Sequence, residues 1–168
     1  DLAIQAGFDT TCLAIDKLGW NERRKSFTDM SEDTITNCFK LYPWEWMLHE
    51  SFAGNLMKTN IRWFEPPWKS ILSNKAILPI LWELAPESPW LLEAAYEPLE
   101  GGCVRKPFLS REGANIQFYQ HGEMVYESSG PYSGAGVYQR TCLLPEFDGQ
   151  FFPVVGSWMI DGWASGIG

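Results

Sequence analysis

The spacing of apolar and polar residues divides the chain into two kinds of pattern. In the first half, short apolar runs are broken by Pro, Gly and Asn. Strands are expected at 11–15, 26–28, 34–42 and 61–64, with a charged turn over 21–25. Pro43 suits the first position of a helix, so a helix is expected over 44–52, interrupted at Gly54-Asn55. Two more helices are expected around 68–72 and 75–84, and a helical turn over 90–95. From Val104 onward the pattern is that of strands, at 104–106, 116–119, 124–128, 137–143, 152–160 and 163–166. Gln120-His121-Gly122-Glu123 reads as a hairpin turn. The fold class expected is α+β. A mixed α/β lobe over 1–85 is followed by a β-rich lobe over 86–168, with the boundary near 85–103 and a mobile linker over 97–102.

Composition narrows the function. The chain has 168 residues and a net charge of −8, which argues against nucleic acid, since duplex binding needs clustered cations. No apolar run reaches the roughly 18 residues that a membrane span needs. The first residues lack the basic and apolar regions of a signal peptide, and both termini read as cut points in a longer chain. The four cysteines, Cys12, Cys38, Cys103 and Cys142, show no C-x-x-C spacing. They read as reduced thiols of a cytoplasmic protein. Neither His49 nor His121 has a neighbouring ligand pattern.

Candidate chemistry begins at Lys106. It ends an expected strand, and a polar turn containing Gly113 leads to the next strand at Ile116. Such a loop suits the cover of a phosphate chain, because glycine lets backbone amides approach closely and lysine supplies a point charge. Lysine before a β-turn is also commonly a solvated surface residue, so both readings stand. Lys75 is set in the first turn of an expected helix capped by Ser73 or Asn74. A cation there opposes the helix dipole, which an anion would offset. A solvated lysine beside a cap fits equally well. Glu45 lies between Trp44 and Trp46. A carboxylate with aromatic neighbours suits an ammonium group, as on a polyamine, and the acidic net charge suits a cationic substrate. An exposed glutamate beside two core tryptophans is the competing reading.

Several long motifs, in order along nearly the whole chain, resemble the glutathionylspermidine synthase family. They are Phe39-Lys40-Leu41-Tyr42-Pro43-Trp44-Glu45-Trp46-Met47, the run from Glu65 to Pro79, the segment from Lys106 to Asn115, and Gly156-Ser157-Trp158 with Gly166-Ile167-Gly168. The pattern is most similar to bacterial synthase-like proteins without the amidase domain. The resemblance implies an ATP-grasp fold and a ligase that joins a carboxylate to an amine through an acyl phosphate. It implies that Lys75 and Lys106 contact ATP, and that Glu112, Gly113, Ala114 and Asn115 cover its phosphates. Val137, Tyr138 and Gln139 would read the adenine. Small-molecule substrates are implied, such as glutathione or another peptide carboxylate and a polyamine. The family also uses Mg²⁺, held by an acidic residue and a Glu-x-Asn pattern. No such Glu-x-Asn stands on an expected strand here, and Asp148 and Asp161 fall in apparent turns. The metal ligands are therefore expected outside this chain, as is the family's arginine after Gly-Ile-Gly. The piece alone is expected to have little or no ligase activity.

Two other functions compete. A non-catalytic binding module could use the nine tryptophans as a contact face. However, Trp44, Trp68, Trp82 and Trp158 lie in apolar patterns that read as core. A kinase would need His-Arg-Asp and Asp-Phe-Gly patterns, and neither is present.

Overall fold

Aromatic residues at strand spacing build the first half around Phe27. The computed structural model describes residues 2–168. The chain divides into two compact units, Asp1–Ile77 and Leu78–Gly168. The first unit opens with α1 (Leu2–Gln5); the strand expected over 11–15 is not formed, residues 11–14 having no regular structure and Ile15 starting a short 3₁₀ turn (Ile15–Lys17). Strands β1 (Gly19–Asn21) and β2 (Ser26–Thr28) form an antiparallel hairpin with Trp20 opposite Phe27. Its turn is closed by Asn21, whose Oδ1 accepts the Arg24 N–H at 2.9 Å, and by Lys25 in left-handed conformation. Phe27 is fully buried. Its ring meets Trp20, Phe52 and Trp63 edge-on at 5.0, 5.7 and 6.4 Å.

Two further strands, β3 (Asn37–Phe39) and β4 (Arg62–Phe64), pair in parallel with Cys38 opposite Trp63. A parallel pair needs a crossover. Here it contains α2 (Trp44–Met47), which starts behind Pro43, and a 3₁₀ segment at Ala53–Lys58. The helix expected to run to residue 52 stops five residues earlier, and the strand expected from residue 34 begins at Asn37. Trp44 and Met47 are the buried positions of α2, three apart on one helix face. Trp44 packs on Trp63 at 5.3 Å, and the Lys40 ammonium sits 4.9 Å over its ring. A 3₁₀ turn at Pro67–Lys69 then leads into α3 (Ser70–Ser73).

The second unit opens with α4 (Ile77–Leu84), and its centre is a five-stranded antiparallel sheet. The strands are β5 (Ala94–Ala95), β6 (Cys103–Pro107), β7 (Gln117–Gln120), β8 (Glu123–Glu127) and β9 (Gly136–Arg140). Their order in the sheet is β5-β9-β6-β7-β8. The stretch over 90–95, expected to be helical, instead supplies β5, because Ala94 and Ala95 pair with Gln139 and Tyr138. The stretch expected to be a mobile linker is tied down. Arg140 donates to the Glu100 carbonyl and to Glu93, and the Thr141 N–H donates to Gly102 O at 3.2 Å.

His121 and Gly122, both at positive φ, make the β7–β8 turn. The same chemistry recurs at Asp161-Gly162, which joins β10 (Ser157–Ile160) to β11 (Trp163–Ile167), and at Asp148-Gly149. Both aspartates thus stand at the left-handed first position of Asp-Gly turns, which explains their presence without any ligand. Two tryptophans expected in the core are not there. Trp44 is buried, but Trp68 and Trp158 are 62% and 68% exposed.

Candidate functional site

The geometry worth building from lies on one face of the five-stranded sheet. Alternation along β6 puts Val104 and Lys106 on the same side. Their partners across the β6–β9 ladder are Gln139 and Val137. Lys106 therefore looks along the sheet face to Gln139, and its Nζ donates to Gln139 Oε1 at 2.6 Å. Val104 and Val137 are buried beneath this pair. Burial in turn pushes the Lys106 ammonium below the usual lysine range, since the apolar surroundings disfavour its charge. A desolvated cation with one neutral partner is well suited to an anion.

Gly136 explains how β9 comes so near. A Cβ there would lie 2.5 Å from the Lys106 carbonyl oxygen, so only glycine fits. On its other side β9 is paired only as far as β5 reaches. Tyr138 and Gln139 pair with β5, whereas Gly136 and Val137 pair with β6 alone. Tyr138 turns to the opposite sheet face, its ring 6.0 Å from that of Tyr119.

After Lys106 the chain turns sharply. Pro107 and Ser110 are buried, and Ser110 Oγ donates to the Pro107 carbonyl at 3.2 Å. Glu112 and Gly113 both have positive φ, and the Ala114 N–H closes on Arg111 O at 3.0 Å. This is the pattern of a type I′ turn. The tip is open, since nothing lies within 4 Å of where a Gly113 Cβ would stand. Among the described residues the N–H groups of Glu112 and Gly113 have no hydrogen-bond partner.

The far side of the loop is held by residues that no motif had singled out. Ser128 Oγ donates to the Gly113 carbonyl and accepts the Ile116 N–H at 2.9 Å. Asn115 Oδ1 accepts the Tyr132 N–H at 2.7 Å. Gly130 lies against the loop so closely that a Cβ would be 2.4 Å from Asn115 Oδ1 and 2.6 Å from Ala114 Cβ. The sequence carried one hint of this contact, the turn-rich run Ser128-Ser129-Gly130-Pro131, but nothing in it named the loop as its partner.

Lys75 and Glu45 belong to the first unit. Lys75 sits, half-buried, on the turn before α4 and not in its first helical turn. Asn74 is the residue that caps, its Oδ1 accepting the Ala76 N–H at 2.9 Å. Ser73 instead donates to Ser70 O at 2.9 Å and approaches Glu45 Oε2 at 3.4 Å. Glu45 is half-buried on α2. Its flanking tryptophans diverge, because successive helix positions are about 100° apart. Trp44 packs inward, and Trp46 lies against Tyr42 at 5.4 Å.

Among the described residues no group of three or more His, Cys, Asp and Glu is arranged to hold a metal ion. No helix of the described residues is long and apolar enough to cross a membrane.

Known proteins give this geometry its context. Residues 1–168 match the family model described as glutathionylspermidine synthase preATP-grasp. A Haemophilus influenzae protein whose name assigns it to the acid–amine ligases is 40% identical across 100% of this chain and 46% of its own length. The bifunctional glutathionylspermidine synthetase/amidase of Escherichia coli is 32% identical, over 89% of this chain and 29% of its own. The trypanothione synthetase of Crithidia fasciculata is 30% identical, over 94% and 28%. The chain thus spans less than half the length of these relatives.

Proposed function

The chain belongs to the glutathionylspermidine synthase family, and from that premise we propose that it supplies the nucleotide-holding part of an ATP-dependent carboxylate–amine ligase. The observation that supports this most is the Lys106–Gln139 pair on the sheet face, beside a turn with unengaged N–H groups. The Lys106 ammonium would neutralise phosphate charge, and its burial makes that interaction stronger than it would be in water. The Glu112 and Gly113 N–H groups would approach the same phosphates. Gln139 would exchange its bond to Lys106 for one to the adenine, and Val137 and Tyr138 are assigned to the base on their family motif. Lys75 is assigned to ATP on its family motif alone.

In this reading ATP activates a carboxylate as an acyl phosphate and an amine displaces the phosphate. Both substrates are small molecules, with glutathione and spermidine as the first pair to try. Glu45 is assigned to the ammonium of the amine by its charge. Mg²⁺ would supply the remaining neutralisation, and its ligands are assigned to residues outside this chain. The ATP-grasp architecture and a cytoplasmic location belong to the same proposal.

The test is ADP release by the intact protein with ATP, Mg²⁺, glutathione and spermidine, against residues 1–168 alone. Amine-dependent ADP release by the intact protein and none by the piece is expected. Equal release by the piece would place the metal site within it. An intact protein that neither binds nor hydrolyses ATP would overturn the reading.

A further inference from the structure

We propose that Ser128 is a positioning residue for the phosphate-covering turn, acting with Gly130 as a fixed base on which that turn is set. The inference rests on the nucleotide reading above and names what aims its loop.

Ser128 stands just beyond β8, and one hydroxyl serves both ends of the turn. Its hydrogen goes to the Gly113 carbonyl, and its oxygen takes the Ile116 N–H at 2.9 Å. The Ser128 N–H also donates to Ile116 O at 2.9 Å, which locks the serine in register with the start of β7. The peptide plane after Gly113 is therefore fixed from outside the turn. Its carbonyl faces Ser128, and its N–H, on Ala114, is bonded to Arg111 O at 3.0 Å. The two N–H groups left without protein partners, those of Glu112 and Gly113, are the ones a phosphate would use. Two residues on, Gly130 fills the space under Ala114 and Asn115, and any side chain there would lift the turn. Asn115 fixes the base from the other direction through the Tyr132 N–H. Its side-chain carbonyl is engaged by the protein and contributes anchoring, not a direct contact to the nucleotide.

A residue that only stabilised the sheet would affect all ligands alike. One that aims the turn affects ligands with phosphates. Ser128→Ala, Ser128→Thr and Gly130→Ala in the intact protein would be compared for ATP and adenosine affinity, with hydrogen exchange at residues 112–116 without nucleotide. Ser128→Ala is expected to weaken ATP on the order of tenfold, the scale of a lost hydrogen bond, with adenosine little changed. Ser128→Thr keeps the hydroxyl and is expected to restore ATP binding. Gly130→Ala removes no hydrogen bond yet is expected to resemble Ser128→Ala. Exchange at Ile116 should quicken in Ser128→Ala. Unchanged exchange there would overturn the anchor, whatever the ligand. Equal losses for ATP and adenosine would reduce Ser128 to a structural residue and overturn its positioning role. Altered exchange in a protein that binds no ATP would leave the anchor standing and remove the nucleotide reading instead.

Discussion

The central strands β6 and β9 of the five-stranded sheet and the β10–β11 hairpin are built from similar residues and end in opposite states. In the sheet, Cys103, Val104 and Val137 are buried, with Val137 at 0% exposure. In the hairpin, Trp158, Met159, Ile160 and Trp163 are between 60% and 76% exposed. The hairpin has a good turn and a paired register, so its local chemistry is complete. What it lacks, among the described residues, is a covering layer. A two-stranded ribbon is marginal without one. Strand formation is thus set locally, by turn and pairing, whereas a site also needs burial. Lys106 acquires its shifted ionisation because it stands in the covered sheet.

The largest expected difference is at the β6–β9 contact. Gly136→Val drives a side chain into the Lys106 backbone and should cost about 3 kcal/mol, at the top of the overpacking range. Denaturant titration should show it. If Gly136→Val is as mild as Ala164→Val in the hairpin, the close approach of β9 to β6 is not rigid. Next comes function. Lys106→Ala should weaken ATP by about 1.5–3 kcal/mol, roughly tenfold or more, by calorimetry on the intact protein. Unchanged affinity would remove Lys106 from the nucleotide site. In the hairpin, Trp158→Ser should shift the unfolding free energy of residues 1–168 by no more than about 0.5 kcal/mol, as for a surface position. It should also lower binding of a hydrophobic dye. A larger loss of stability would mean that the indole is covered after all.

The smallest effect is in pH dependence. Burial lowers the Lys106 pKa, so the folded state binds this proton less tightly than the unfolded state. Its burial costs stability at neutral pH. That cost is relieved as pH rises from the depressed folded value toward the unfolded one. Stability from Lys106 should therefore increase over that alkaline window, and Lys106→Met should abolish the increase. A decrease over the same window would mean that charge–charge attraction outweighs burial.

Much of the second unit was legible because its signals are local. His121-Gly122 marked a two-residue turn, and the flanking strands overlap the expected runs 116–119 and 124–128, each shifted by one residue. The strand ending near Lys106 and the turn at Gly113 were legible because strand, lysine and turn are contiguous. What failed was whatever depends on a distant partner. Residues 90–95 have good helix formers, yet pairing with β9, some 45 residues on, makes Ala94–Ala95 a strand. The helix begun at Trp44 was too long by the same logic, since burial of Trp44 and Met47 needs only one turn. Nothing around Ser128 indicated that its hydroxyl would reach back to Gly113 and Ile116.

The sheet order β5-β9-β6-β7-β8 also has a temporal consequence. Strands β6, β7 and β8 form a meander whose closures are short, and such hairpins form on the microsecond scale. Strand β9 follows them in sequence but must insert between β6 and β5, joining residues 43–45 positions apart on the β5 side and 29–37 on the β6 side. Contacts of that separation carry a larger closure entropy and form later. Lys106 is therefore laid down early, and Gln139 arrives with the last strand of the sheet. A chain stalled before that step would keep its three-stranded meander and the turn at Glu112-Gly113. It would not yet have the partner that holds its lysine in place.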